Sequence, residues 1–267
     1  MLSVDATITR VRRDLTLSIL LKAVLACAAV ACFTLAGPDN ARFLALLGIG
    51  SIWFWLSING ARSSRVAAQS PSLIAAGQFE EAERNIEQSV RTFSLIRTVK
   101  LQSLHHLALL RHAQRRWQES AIFARALLSQ RLGPLQPLSR STRLLLADSL
   151  LEMNDLRGAY DAIAALHREP MSLVETLNLL SIQLDYSARV GGWQSMFENV
   201  MGKLQLAELL PAHLSARSQA LLALAARKIG RDDLSAWLRD RAALLADSQR
   251  LVAERPMLGE LYPLVEA

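Results

Sequence analysis

Between Leu144 and Pro170, apolar residues return at helical intervals in two bursts separated by a short polar gap. Leu145, Leu146, Ser149, Leu150 and Met153 fall on one stripe of a helix, and Leu156, Ala159, Tyr160, Ile163 and Leu166 fall on a second. Asn154, between them, tolerates the left-handed conformation that ends a helix, and Glu169-Pro170 stops the second stripe. Two amphipathic helices joined by so short a turn predict an αα-hairpin that needs neighbours to bury its apolar faces. The pattern recurs. Leu156 stands two residues after its turn residue, and Phe79, Trp117, Trp193 and Asp232 hold the same place. In chain order these anchors are spaced by 38, 39, 37 and 39 residues. The turn residues are Gly77, Arg115, Asn154, Gly191 and Gly230, all but Arg115 of types suited to positive φ. Three residues after the anchors stand Ala82, Ser120, Ala159, Met196 and Ser235, mostly small, as close helix packing requires.

The start of the chain is patterned differently. Residues 15–36 form an apolar run of 22 residues whose only charge is Lys22, long enough to cross a hydrocarbon core of about 30 Å. Gly37-Pro38-Asp39-Asn40 breaks it, and residues 41–59 form a second run, which predicts an antiparallel transmembrane hairpin. Arg10, Arg12 and Arg13 precede the first run and Arg62 and Arg65 follow the second, whereas the loop holds only Arg42 beside Asp39. Positive charge of this distribution places both termini in the cytoplasm, in a multi-pass protein of a bacterial-type inner (plasma) membrane. Trp53 and Trp55 suit an interfacial belt, and Ala23, Cys27 and Ala31, with Gly48 opposite, offer a small-residue row for close helix packing. Cys27 and Cys32 read as small apolar residues. A cleaved signal or a lipoprotein box at Val24-Leu25-Ala26-Cys27 is disfavoured, because the residues after Cys27 stay apolar and a second span follows.

Together these patterns predict an all-α chain of four parts. Residues 1–14 read as a cytoplasmic tail, 15–60 as the transmembrane hairpin, 61–247 as a helical-repeat domain, and 248–267 as a C-terminal cap or tail. Hydrophobic residues make up 51% of the sequence, and the excess sits in the two apolar runs. Alternation of the β type is nearly absent. Pro71 makes the first repeat irregular, and Gly133-Pro134-Leu135-Gln136-Pro137 is the longest break between repeats. Deleting residues 1–60 is expected to leave a soluble helical domain.

The segment Gly77-Gln78-Phe79-Glu80-Glu81-Ala82 resembles the turn of the tetratricopeptide-repeat family, roughly Gly-x-aromatic-x-x-Ala. Leu146-Ala147, Ala159, Ile163 and Pro170 match further positions of that family in the third unit. The resemblance covers Arg65 to Asp247. It departs in its longer period, in Arg115 for the turn glycine and in Asp232 for the aromatic. It implies an α-solenoid of about five helix pairs whose groove holds a peptide or helix of a protein partner. A generic α-solenoid or an irregular helical bundle is the other arrangement that these residues admit.

No phosphate-binding glycine loop, GxSxG elbow, HExxH or CxxC occurs, so neither enzyme activity nor a cofactor or metal is expected. His105 and His106 are adjacent and His112 shares a face with His105, without a third ligand in view. One charge feature rises above background. From Arg91 to Arg143 there are ten Arg or Lys against one acid, Glu119. The band comprises Arg97, Lys100, His105, Arg111, Arg115, Arg116, Arg125, Arg140 and Arg143, with His105, Arg111, Arg140 and Arg143 as groove-lining candidates. It reads either as a solvated face or as a surface for anionic lipid headgroups or an acidic protein. Nucleic acid is not expected, because interleaved aromatics are missing. Reversing Arg111, Arg115 and Arg116 to Glu is expected to weaken such binding with helicity intact. The resulting functional expectation is a membrane-anchored scaffold or adaptor for protein–protein interaction at the cytoplasmic surface. The alternative is a non-catalytic accessory or assembly subunit of a membrane enzyme complex. Client and oligomeric state are not encoded in any motif.

Overall fold

The computed structural model describes residues 3–35, 39–130, 132 and 135–262. Gly37 and Pro38 of the first predicted break, Gly133 and Pro134 of the later one, and Pro263 of the tail lie outside the described residues, as does the side chain of Arg42. Among the described residues the regular structure is entirely helical. The order is α1 Val4–Leu35, α2 Asp39–Ala68, α3 Ser70–Ala75, α4 Phe79–Arg91, α5 Arg97–Ala113, α6 Trp117–Leu128 and α7 Gln136–Glu152. It continues with α8 Leu156–Leu166, α9 Leu173–Arg189, α10 Trp193–Phe197, α11 Val200–Glu208, α12 Ala212–Lys228, α13 Asp232–Leu245 and α14 Ser248–Glu254. A 3-10 turn at Pro256–Glu260 follows.

The repeated pattern becomes repeated geometry. All five turn residues have positive φ, between 59° and 78°, including Arg115. Each turn is closed by the same pair of backbone bonds. Gln78 N–H donates to Leu73 C=O and Gly77 N–H to Ile74 C=O, and the pairs at Arg116/Arg115, Asp155/Asn154, Gly192/Gly191 and Arg231/Gly230 are equivalent. This double closure satisfies carbonyls that the helix end leaves open. A second helix then starts on each anchor: Phe79, Trp117, Leu156, Trp193 and Asp232 are first residues of α4, α6, α8, α10 and α13. The helices before the last four turns, α5, α7, α9 and α12, are each 17 residues long. The positions three after the anchors are buried throughout. At two of them the same bond recurs, from Ser120 Oγ to Ala108 C=O and from Ser235 Oγ to Ala223 C=O, each 2.9 Å.

Two departures have local causes. The first hairpin uses only the six-residue α3, with Pro71 in its first turn, because α2 continues to Ala68 just before it. In the fourth, the second helix is split into α10 and α11 by Asn199, whose φ is 51°. Met153 and Tyr160 of the predicted stripes are exposed.

The chain divides into two compact units, Met1–Leu145 and Leu146–Ala267, the division falling within α7. The core of the first unit joins Val11 and Leu15 of α1 to Ile74, Ile86, Leu104, Leu110 and Phe123 of α3 to α6. Residues 1–14 are therefore not a free tail over their described part. Val4, Ile8, Val11 and Leu15 are spaced for one helix face, and that face is packed. Deleting residues 1–60 would strip this face away from the core that a soluble helical fragment would have to keep. The small-residue row fares similarly. Ala23, Cys27, Ala31 and Gly48 are all exposed and a Cβ on Gly48 would meet nothing within 4 Å, so the row is not where α1 meets α2.

The second unit is organised around α12, whose run Leu221–Ala226 is buried on every side, as an all-apolar helix must be. Helices α9, α10, α11 and α13 pack on it, and Leu251, Leu258 and Leu261 complete the core. The described part of the C-terminal segment is thus a packed cap. Asp185, on α9, is buried between Arg255 of that cap, 2.8 Å away, and Arg189, 3.2 Å away. Arg255 also pairs with Glu152 at the end of α7.

Candidate functional site: the charged surfaces of the first unit

Two helices are long and apolar enough to cross a membrane, Val4–Cys32 and Phe43–Ala75. Only 11% and 6% of their most apolar windows are buried, which is the opposite of a core helix in a soluble domain. Leu17, Ile19, Leu20, Val24 and Val30 of α1 and Phe43, Leu44, Leu47, Ile52, Trp53, Phe54 and Trp55 of α2 stand exposed. A continuous apolar surface of this extent is far beyond what single scattered side chains give a soluble protein.

The folded part of the first unit begins where this exposure ends. Asp14 of α1 meets Lys100 near the start of α5, whereas Thr7 lies with Leu107 and Arg111 toward its end. Helix α1 therefore runs antiparallel to α5. Gly60 of α2 sits against Ser94 before α5, and Ala67 lies beside His106, so α2 runs parallel to it. Both helices leave the unit at the same end, marked by the Thr92–Ile96 connection between α4 and α5. The turn at Arg115 lies about 22 Å farther along α5 from Lys100, at the opposite end.

This geometry splits the predicted basic band. Lys100 is fully buried. Its Nζ lies 2.9 Å from Asp14 and donates to the carbonyls of Val90 at 2.7 Å and Thr92 at 2.6 Å. Burial pushes its pKa down, opposed by the bond to Asp14. Arg111 is also buried, paired with Glu83 at 2.7 Å and Glu119 at 3.2 Å. These two are structural, and the window count missed this because their acids, Asp14 and Glu83, come from α1 and α4. Reversing Arg111 would place three carboxylates together, so the proposed triple reversal cannot spare the core. Arg116 pairs with Glu119, and Arg115 is exposed in its left-handed turn. Arg97, Arg140 and Arg143 are half-buried and Arg125 is exposed. Arg97 starts α5, at the end where α1 and α2 depart, and the antiparallel hairpin returns Arg125, in the last turn of α6, toward it. Arg111, Arg115 and Arg116 lie at the far end.

His105 Nδ1 lies 2.9 Å from the Thr142 hydroxyl, which itself donates to Leu138 C=O, so the histidine donates. Burial, with His106 adding to it, lowers the His105 pKa to about 4, and burial lowers that of His106. His112 stacks edge-on against Trp117. Unfolded histidine takes up a proton below about pH 6.5, and folded His105 refuses one until about 4. Stability therefore falls as pH drops through that window, by about 2 kcal/mol once its partial exposure is allowed for. His105→Gln keeps a donor for Thr142 but cannot titrate. Unfolding midpoints across this range should show a flatter pH dependence in the variant, and parallel curves would remove His105 as the cause.

Among the described residues no three His, Cys, Asp or Glu are placed to hold a metal ion. A cavity of about 170 Å³ lies between α2 and α5, lined by Ser64, Ala67, Ala68, Val99, Gln102 and His106. A second, more open pocket of about 400 Å³ runs along the end of α4, lined by Arg84, Glu87, Gln88, Arg91 and Thr92. Comparison with protein-family models, with curated proteins and with solved structures returns no match.

Proposed function

We propose that the chain is a non-enzymatic scaffold or adaptor, anchored in a membrane by the α1–α2 hairpin and presenting tetratricopeptide-like helix pairs to protein partners. The observation that carries this reading is the bare apolar surface of α1 and α2 running without a break into a packed helical unit. Removal of α1 as a signal sequence would withdraw Val11 and Leu15 from the core and leave Lys100 buried without Asp14. The recurrent left-handed turns and 17-residue helices support a repeat array over residues 61–247. The arginines flanking the apolar runs, set against the loop with Arg42 alone, support cytoplasmic termini.

The test is fractionation followed by labelling. The chain should stay with membranes through a carbonate wash. Ser72 is exposed on α3, and Ser72→Cys in a chain lacking Cys27 and Cys32 should react with a membrane-impermeant maleimide only after the membrane is opened. Labelling of intact spheroplasts would reverse the orientation, and release by carbonate would remove the anchor.

A further inference from the structure

Over residues 6–38 and 40–79, which hold most of α1 and α2, the charges are sorted by sign. Asp14 is the single acid between residues 6 and 38, and no acid occurs between residues 40 and 79. That one acid is turned inward and neutralised by Lys100. Arg12 and Arg13 on α1 and Arg62 and Arg65 on α2 point the other way, into solvent. Arg91, at the end of α4, is exposed beside them in the fold: its carbonyl accepts a bond from Arg10 of α1, 2.9 Å away. Glu87 is the acid set against it, 3.3 Å from the guanidinium.

These arginines ring the hairpin at one level. Arg12 lies about 8 Å below Leu17, where large exposed apolar side chains begin, and Arg62 about 11 Å below Trp55, where they end. The interfacial layer of a bilayer is about 5–8 Å deep on each side, and an arginine side chain reaches back several ångströms toward it. The Thr92–Ile96 connection, set against Gly60, carries exposed Ile96 at the same level.

We propose that this arginine collar binds the phosphate groups of anionic phospholipids in the leaflet next to the first unit. The inference rests on the membrane-anchored reading and names the ligand of that surface. Guanidinium groups match phosphate oxygens in fork geometry, and the membrane supplies those oxygens at the depth the collar occupies. Arg115, exposed in its turn about 22 Å along α5 from Lys100, lies outside its reach.

The test uses the full chain in nanodiscs of phosphatidylcholine mixed with phosphatidylglycerol. Native mass spectrometry reads the lipids that remain bound on release. Wild type should retain phosphatidylglycerol in excess of its share, and Arg12→Gln/Arg13→Gln/Arg62→Gln/Arg65→Gln should lose that excess, about fivefold per arginine removed. Arg115→Gln should keep it. Equal retention by both variants overturns the collar. Displacement of the lipid by millimolar inorganic phosphate also overturns it, leaving a site for free anions. A carbonate wash on the same preparations separates the two levels of failure. A chain that resists the wash but shows no lipid preference loses only the collar, whereas an extracted chain loses the anchor as well.

Discussion

Lys100→Met is expected to destabilise the first unit by about 3–5 kcal/mol, the range for removing one partner of a buried ion pair. Methionine fills nearly the same volume, so packing is not the cause. What is lost is the counter-ion of Asp14, which is itself buried, and the donor to the carbonyls of Val90 and Thr92. Those carbonyls close the end of α4, where the chain leaves the helix, and nothing apolar can replace the bonds. Asp14→Asn should be milder. Burial already lowers the Lys100 pKa, so without the carboxylate the amine can shed its proton and keep a neutral donor on one of the same carbonyls. Thermal or urea unfolding of the full chain in detergent, followed by helicity, measures both. If Lys100→Met unfolds within about 1 kcal/mol of wild type, the pair does not join α1 to the unit energetically.

Arg255→Met should cost the second unit about 3 kcal/mol, at the lower end of the same range because Arg189 still faces Asp185. Burial disfavours the Arg255 charge, yet Asp185 and then Glu152 outweigh that and push its pKa up, so the guanidinium stays charged in the folded state. It ties the cap to α9 and to the end of α7 at once. Its loss should free residues 248–262 first, seen as accelerated amide exchange there before global unfolding. Arg250→Met provides the comparison, since Arg250 is exposed and its i,i+4 pair with Glu254 contributes only a few tenths of a kcal/mol. Equal exchange in the two variants would show that the cap is held by Leu251, Leu258 and Leu261 alone.

The turns were legible because a left-handed helix end has a residue signature, and where the signature failed the spacing carried it. Arg115 is an unfavourable residue for φ of 59°, but the same two backbone bonds close its turn as close the glycine turns, and the helices on either side fix the conformation. The second-helix starts followed from that register. The break at Asn199 was hidden because the apolar spacing on either side of it reads as one helix, although Asn is a residue that accepts φ of 51°. The charges were legible only as a sum. A count along the chain cannot see that Asp14 and Glu83, from α1 and α4, withdraw Lys100 and Arg111 from the surface, nor that helix direction puts Arg125 and Arg115 at opposite ends. Along the chain Arg12, Arg13, Arg62 and Arg65 carry an orientation signal alone, and their placement around one exit appears only when α1 and α2 are laid against α5.

If α1 and α2 anchor the chain as proposed, their uninterrupted passage from bare apolar surface into a packed core makes that anchor a mast instead of a rope. A rope of flexible linker lets a tethered domain sweep a hemisphere, so that capture of a partner depends on effective concentration. A mast of two helices, 32 and 30 residues long and fixed at its foot by Asp14–Lys100 and by Gly60 against Ser94, holds the first unit at one height and one attitude. Any tilt that bilayer thickness imposes on the hairpin is then delivered as a swing of that unit, largest at the Arg115 end. A partner that reaches this surface from the membrane plane would meet it at a set angle, and the thickness of the surrounding lipid would set that angle.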